Sequence, residues 1–216
     1  DRASSKIVPF HSPANGLVSD EMSQGGGDLF IVDNSVSGWT GAEYLRRWTK
    51  YADKFDIATG FFEIGSLLEL NGAWQRLDKI RILMGAEVTH ATKAAFLKAT
   101  KERAEDQLDG SLEAEKNPNP FLHGVPAIVE ALRSKQIECR VYNKDKFHAK
   151  AYITHAKLEV VGSQALVGSS NFTLPGLTKN LELNIQVQSA REVAQLQEWF
   201  EIHWNEASEV TDAVIQ

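Results

Sequence analysis

The sequence predicts an α/β fold in which a mixed β-sheet is covered by helices on both faces. Three observations carry this. Short apolar, strand-like runs alternate with segments of helical spacing through the first two thirds of the chain. Strands then dominate, before one closing helix. A chain of 216 residues, 43% hydrophobic and 24% charged, has the apolar content to build one real core, with room for half a domain more at most.

The elements follow in order. Residues 1–27 carry Gly, Ser, Pro and Asn and end in QGGG, which reads as an irregular N-terminal arm. Residues 28–216 are then the folded domain. DLFIVD predicts a first strand. From Thr40 to Phe55, apolar residues at Tyr44, Leu45, Trp48, Tyr51, Ala52 and Phe55 have helical spacing. FDIATGFF reads as a buried strand. A helix over Gly65–Leu77 is interrupted near Asn71-Gly72, and KIRILMG is a third strand. Thr89–Leu108, rich in Ala, Lys and Glu, predicts a helix, and the acidic stretch Lys101–Leu112 a solvated face. NPNP (Asn117–Pro120) marks a loop, and Pro126 suits the first turn of a helix running to about Ser134. IECRVYN, Phe147–Thr154, Ala165–Ser169 and Leu181–Gln188 are four further strands. Ser189 and Glu192 form a capping-box signature for a last helix carrying Val193, Leu196, Phe200 and His203 or Trp204 on one face.

Composition excludes several classes. No apolar run approaches the roughly 20 residues that span a bilayer, and the N-terminal residues lack the layout of a secretory signal. Cys139 is the only cysteine, so no disulfide forms within the chain, and a reducing cytoplasm is the expected compartment. His11, His90, His123 and His203 show no paired ligand spacing, so neither a metal nor a cofactor is expected. QGGGD and VGSSN precede no Gly-Lys-Ser/Thr and are not phosphate loops. The five tryptophans read as core or interface anchors. A net charge of −6 argues against a free-standing, high-affinity nucleic-acid binder. Lys144, Lys146 and Lys150 leave room for a local basic groove, with Lys179 near Glu182.

The chemistry concentrates in FHAKAYITHAK, VGSSNFT and Glu182. On a strand, residues i and i+2 share a side, so His148 and Lys150 face one way and Phe147, Ala149 and Ala151 the other. Ser169 and Asn171 share a face likewise. LELNIQVQ alternates between Leu181, Leu183, Ile185, Val187 and Glu182, Asn184, Gln186, Gln188. Three strands can thus bring a nucleophile, a cation, hydrogen-bond donors and a carboxylate to one site. Phosphodiester hydrolysis needs those groups. An imidazole is partly neutral near pH 7, hence nucleophilic, and also serves as an acid. Lys150 and Asn171 can neutralise and bind phosphoryl oxygens. Glu182 can fix the tautomer of the imidazole, Ser169 can donate to phosphate or to Glu182, and Gly168 allows close backbone approach.

His-x-Lys followed by Gly-Ser-x-Asn resembles the HKD signature of the phospholipase D superfamily. GSSNFT, with a glutamate eleven residues after the asparagine, is most similar to its small nucleases. FDIATGFFEIG, KIRILMG, VGSSNFTLPGLTKNLELN and QLQEWFEIHWNEA resemble the phospholipase D-like domain at the N-terminus of bacterial superfamily-two (Swi/Snf-type) helicases, from about Asp28 onward. The resemblance implies a phospholipase D-like fold with a single HKD copy and a metal-independent nuclease acting on DNA. His148 would form a covalent phosphohistidine. Lys150, Ser169 and Asn171 would bind phosphate, and Glu182 would orient His148. One HKD copy is half a site, so a homodimer would supply the second histidine, and a helicase domain or subunit is an expected partner. The family's aspartate position holds His155, which reads as a surface or structural histidine. Two alternatives stand beside this: a catalytically silent nucleic-acid-binding or dimerisation module of a helicase, and a lipid phosphodiesterase. Against lipid, no basic amphipathic helix and no exposed apolar cluster are legible.

Overall fold

The computed structural model describes residues 29–36, 38–86, 90–105 and 120–210. The expected arm over 1–27, the NPN of the predicted loop and most of the acidic stretch lie outside them. Among the described residues eight strands form one mixed sheet. They are β1 (Ile31–Val32), β2 (Ala52–Thr59), β3 (Lys79–Met84), β4 (Ile137–Val141), β5 (Lys150–Ala156), β6 (Gln164–Gly168), β7 (Asn184–Val187) and β8 (Ser208–Glu209), in the order β1-β7-β6-β5-β2-β3-β4-β8. β2, β3 and β4 run parallel, and every other pairing is antiparallel. The helices are α1 (Gly41–Thr49), α2 (Gly65–Glu69), α3 (His90–Glu105), α4 (Pro120–Arg133), α5 (Leu174–Thr178) and α6 (Ala190–Glu206).

The side-chain period of two splits the sheet into two cores. Phe55, Ile57, Ile80, Ile82, Met84, Tyr152 and Leu166 join residues of α1 to α5 in the larger cluster. Ala58, Leu83, Ala151, Ile153 and Ala165 meet Val193, Phe200 and Trp204 of α6 on the opposite face. Both faces are therefore covered, as the alternation predicts.

Several elements differ from expectation for identifiable reasons. The helical spacing through Phe55 overruns: α1 ends at Thr49, Tyr51 is exposed in a turn, and Ala52 and Phe55 belong to β2. Gly65–Leu77 resolves into α2 and a short 3-10 turn (Trp74–Arg76). The proline that opens a helix is Pro120, and Pro126 lies inside α4. Both prolines satisfy the preferred φ, and sequence offers no hydrogen-bond reason to choose the later one. Ser189 occupies the N-cap of α6, but its side chain makes no capping hydrogen bond. β5 starts at Lys150, so His148 precedes the ladder rather than lying within it. The two-residue β8 carries too little pattern to read.

One end of the sheet gathers the C-terminal ends of β2 and β6 with the N-terminal ends of β5 and β7. Thr59 pairs with Lys150, Ala151 with Val167, and Gly168 with Asn184.

Candidate phosphodiester site

That sheet end carries every candidate residue. His148 is exposed just ahead of β5. Phe147 and Ala149 pack into the α6-side cluster with Ala151, so the alternation extends back beyond the ladder and turns His148 and Lys150 away from it. Among the described residues no hydrogen bond reaches the His148 ring. Lys150 is 7% exposed, and its Nζ donates to the His148 carbonyl at 2.9 Å. Burial lowers the ammonium below the usual lysine range, and the charge of Glu182 opposes that shift.

The turn after β6 is pinned residue by residue. Ser169 N donates to Leu183 O at 3.0 Å. The Ser169 hydroxyl donates to Glu182 Oε2 and accepts from Leu183 N at 2.9 Å. Ser170 N donates to buried Asn184 Oδ1 at 3.2 Å, and Tyr152 OH donates to the Ser170 carbonyl. Burial pushes the Tyr152 phenol up, keeping it a neutral donor. Asn171 Oδ1 accepts from Phe61 N at 3.1 Å. A Cβ on Gly168 would run into the Leu183 carbonyl, so only glycine allows β6 and β7 to close together here.

Glu182 is placed differently from the role expected of it. Its carboxylate accepts from Ser169 and, at 3.4 Å, from Asn180 Nδ2, not from the imidazole of His148. Lys144 is paired with Glu206 at 2.9 Å, which weakens the expected basic groove. Lys146 and Lys179 are exposed. His155 is structural: its Nε2 lies 2.6 Å from Asp56 Oδ2 and its Nδ1 lies 3.0 Å from Gln197 Nε2. The expectation of no exposed apolar cluster is overturned. Phe30, Ile31, Leu181 and Leu183 are 66%, 50%, 83% and 62% exposed. They lie along the β1–β7 edge, flanking Glu182. LELNIQVQ turns its polar Asn184 and Gln186 inward, because Asn184 bonds Ser170 and Val32 O, and this leaves leucines outside.

Three contributors escape a motif reading. Thr59, Gly60 and Phe61 close the FDIATGFF run and touch the site through a hydroxyl, an absent side chain and a backbone N–H. A Thr-Gly pair ending an apolar strand was the available signal.

A mixed sheet with His-x-Lys leading one strand and Gly-Ser-x-Asn ending its neighbour defines the phospholipase D-like class. The family described as cardiolipin synthase, PLD-like domain, matches residues 49–204, and the chain belongs to this phospholipase D-like family. No curated protein matches it. Among solved structures it is similar to NucT from Helicobacter pylori (12% identity, 79% of this chain and 91% of that one, TM-score 0.49). It is also similar to Nuc, a phospholipase D family member from Salmonella typhimurium (15%, 84% and 97%, TM-score 0.49). A third is phosphatidylserine synthase from Haemophilus influenzae (10%, 84% and 39%, TM-score 0.50). At 10% identity this last likeness is one of fold.

Proposed function

We propose that this protein is a metal-independent phosphodiesterase that hydrolyses DNA through a covalent phosphohistidine. The observation supporting this is the convergence at one sheet end of an unencumbered imidazole, a partly desolvated ammonium, a fixed carboxamide and a hydroxyl–carboxylate pair. A ring nitrogen of His148 attacks phosphorus, and the bond to the leaving oxygen breaks. Lys150, Ser169 and Asn171 hold the phosphoryl oxygens as charge builds. A second imidazole, His148 of another copy, protonates the leaving oxygen. The same group then takes a proton from water, which attacks the phosphohistidine and frees the first ring. Glu182 is engaged by Ser169 in the free protein, so its contact with an imidazole belongs to the substrate complex, where catalytic hydrogen bonds tighten.

The second histidine requires a homodimer, and the apolar β1–β7 edge beside Glu182 offers it surface to bury. The acidic balance of the chain suits delivery of DNA by another domain or partner, and a helicase fits that role. Plasmid cleavage in EDTA, abolished in His148→Ala, is the expected result. Native protein that binds DNA without cutting it refutes catalysis and leaves a binding module.

The exposed leucines favour a second reading, a lipid phosphodiesterase working at an interface. No helix among the described residues is long and apolar enough to cross a membrane. Release of head groups from phospholipid vesicles, with DNA left intact, would establish that reading over the first.

A further inference from the structure

Resting on that reading of the site, we infer that Thr59 is a positioning residue for Asn171. Thr59 ends β2 fully buried. Its hydroxyl donates to Phe61 O at 2.7 Å and accepts from Phe172 N at 2.9 Å. It therefore ties together two backbone segments about 110 residues apart in sequence. One segment supplies Phe61 N, and the other carries Asn171. The Phe62–Phe172 bridge and the bond from Glu63 N to Phe172 O at 3.1 Å continue the same seam.

The seam decides which end of the Asn171 carboxamide faces outward. Phe61 N is a donor, so it takes the carboxamide oxygen. The Nδ2 group, with two N–H donors, is left for an anion. Without the Thr59 hydroxyl, Phe172 N and Phe61 O lose their buried partner, the seam loosens, and the carboxamide is free to flip. An acceptor would then be presented to phosphate.

The test compares Thr59→Val, which keeps shape and loses the hydroxyl, with Thr59→Ser, which keeps the hydroxyl. The first readout is hydrolysis of bis(p-nitrophenyl) phosphate. Thr59→Val should lower kcat/KM about tenfold, as for one lost hydrogen bond to a charged group, and Thr59→Ser should recover to within about threefold. In a double-mutant cycle, Thr59→Val should cost nothing further once Asn171 is alanine. Additive losses would overturn the inference. The second readout is the Asn171 side-chain amide signal in ¹⁵N NMR, identified by its loss in Asn171→Asp. It should move in Thr59→Val and stay in Thr59→Ser. If native protein cleaves neither plasmid DNA nor the diester, the proposed function falls, while an unmoved amide signal in Thr59→Val overturns the positioning role on its own. Should the valine variant not fold, Thr59→Ala against Thr59→Ser repeats both comparisons.

Discussion

A methyl group at Gly60 would stand 3.1 Å from the Cα of His148 and 3.2 Å from its Cδ2, whereas one at Gly85 would stand 2.5 Å from the Gly60 carbonyl oxygen. The two glycines thus do different work. At Gly60 the obstacles are the His148 Cα, the Phe147 carbonyl and the His148 ring, all at 3.1–3.2 Å, so a methyl group there pushes directly on the segment that carries His148. Gly60→Ala should therefore reduce turnover about tenfold, with a smaller loss of stability than at Gly85, because small misplacements of a reacting group cost rate steeply. At Gly85 the backbone clash is closer, 2.5 Å from the Gly60 carbonyl oxygen, so Gly85→Ala should lower unfolding free energy by about 1–3 kcal/mol, the usual overpacking cost. Urea denaturation beside initial rates separates the two. That His148, Lys150, Ser169, Asn171 and Glu182 meet at one end of the sheet was legible in the sequence because they sit at fixed short spacings on strand-like segments, whereas the engagement of Glu182 by Ser169 was not. For Thr59 and Gly60 the Thr-Gly pair marks only the end of a strand, since FDIATGFF does not announce which distant segments that end abuts.

At the scale of elements, α6 is fastened across the sheet by an ion network. Asp56 of β2, whose side chain is 2% exposed, receives Arg81 of β3 through two contacts of 2.7 Å. Arg81 also reaches Glu201 of α6 at 2.6 Å, and its guanidinium lies 4.9 Å from the Phe200 ring centroid. Burial alone would raise the Asp56 carboxyl, but hydrogen bonds and opposite charge from His155 and Arg81 outweigh it and hold it below the ordinary value of 3.8. Its contribution to stability is therefore complete above about pH 4 and is lost as pH falls through the depressed value. Asp56→Asn should cost about 1.5–3 kcal/mol at neutral pH, because Arg81 loses its buried bidentate partner and keeps only the half-exposed Glu201. The gap from native protein should narrow as the pH is lowered from about 5 to about 2, as read by unfolding titrations, and a constant gap would refute the linkage. The same region shows where pattern reading stops. The strands and α6 follow from periodicity, while the His155–Asp56 partnership is a cross-strand contact that no one-dimensional spacing encodes. The overrun of α1 and the choice of Pro126 over Pro120 have a common cause: apolar spacing and proline preference each fit two boundaries.

For the whole molecule, the second imidazole that the proposed mechanism requires and the apolar β1–β7 edge meet in one prediction. Sedimentation should give a two-fold particle, and Leu183→Glu should yield folded monomer with its diesterase activity lost although His148 is intact. Full activity in that monomer would remove the two-histidine mechanism. The seam between Phe61–Glu63 and Asn171–Thr173 has a separate consequence. Contacts joining residues this far apart in the chain form late during folding, and the N–H of Phe172, bonded to a buried hydroxyl, cannot meet solvent through fraying of a single turn. Its deuterium exchange should accordingly follow cooperative opening of the entire domain, which makes one amide a reporter of how completely the end of the sheet that carries His148 and Asn171 has assembled.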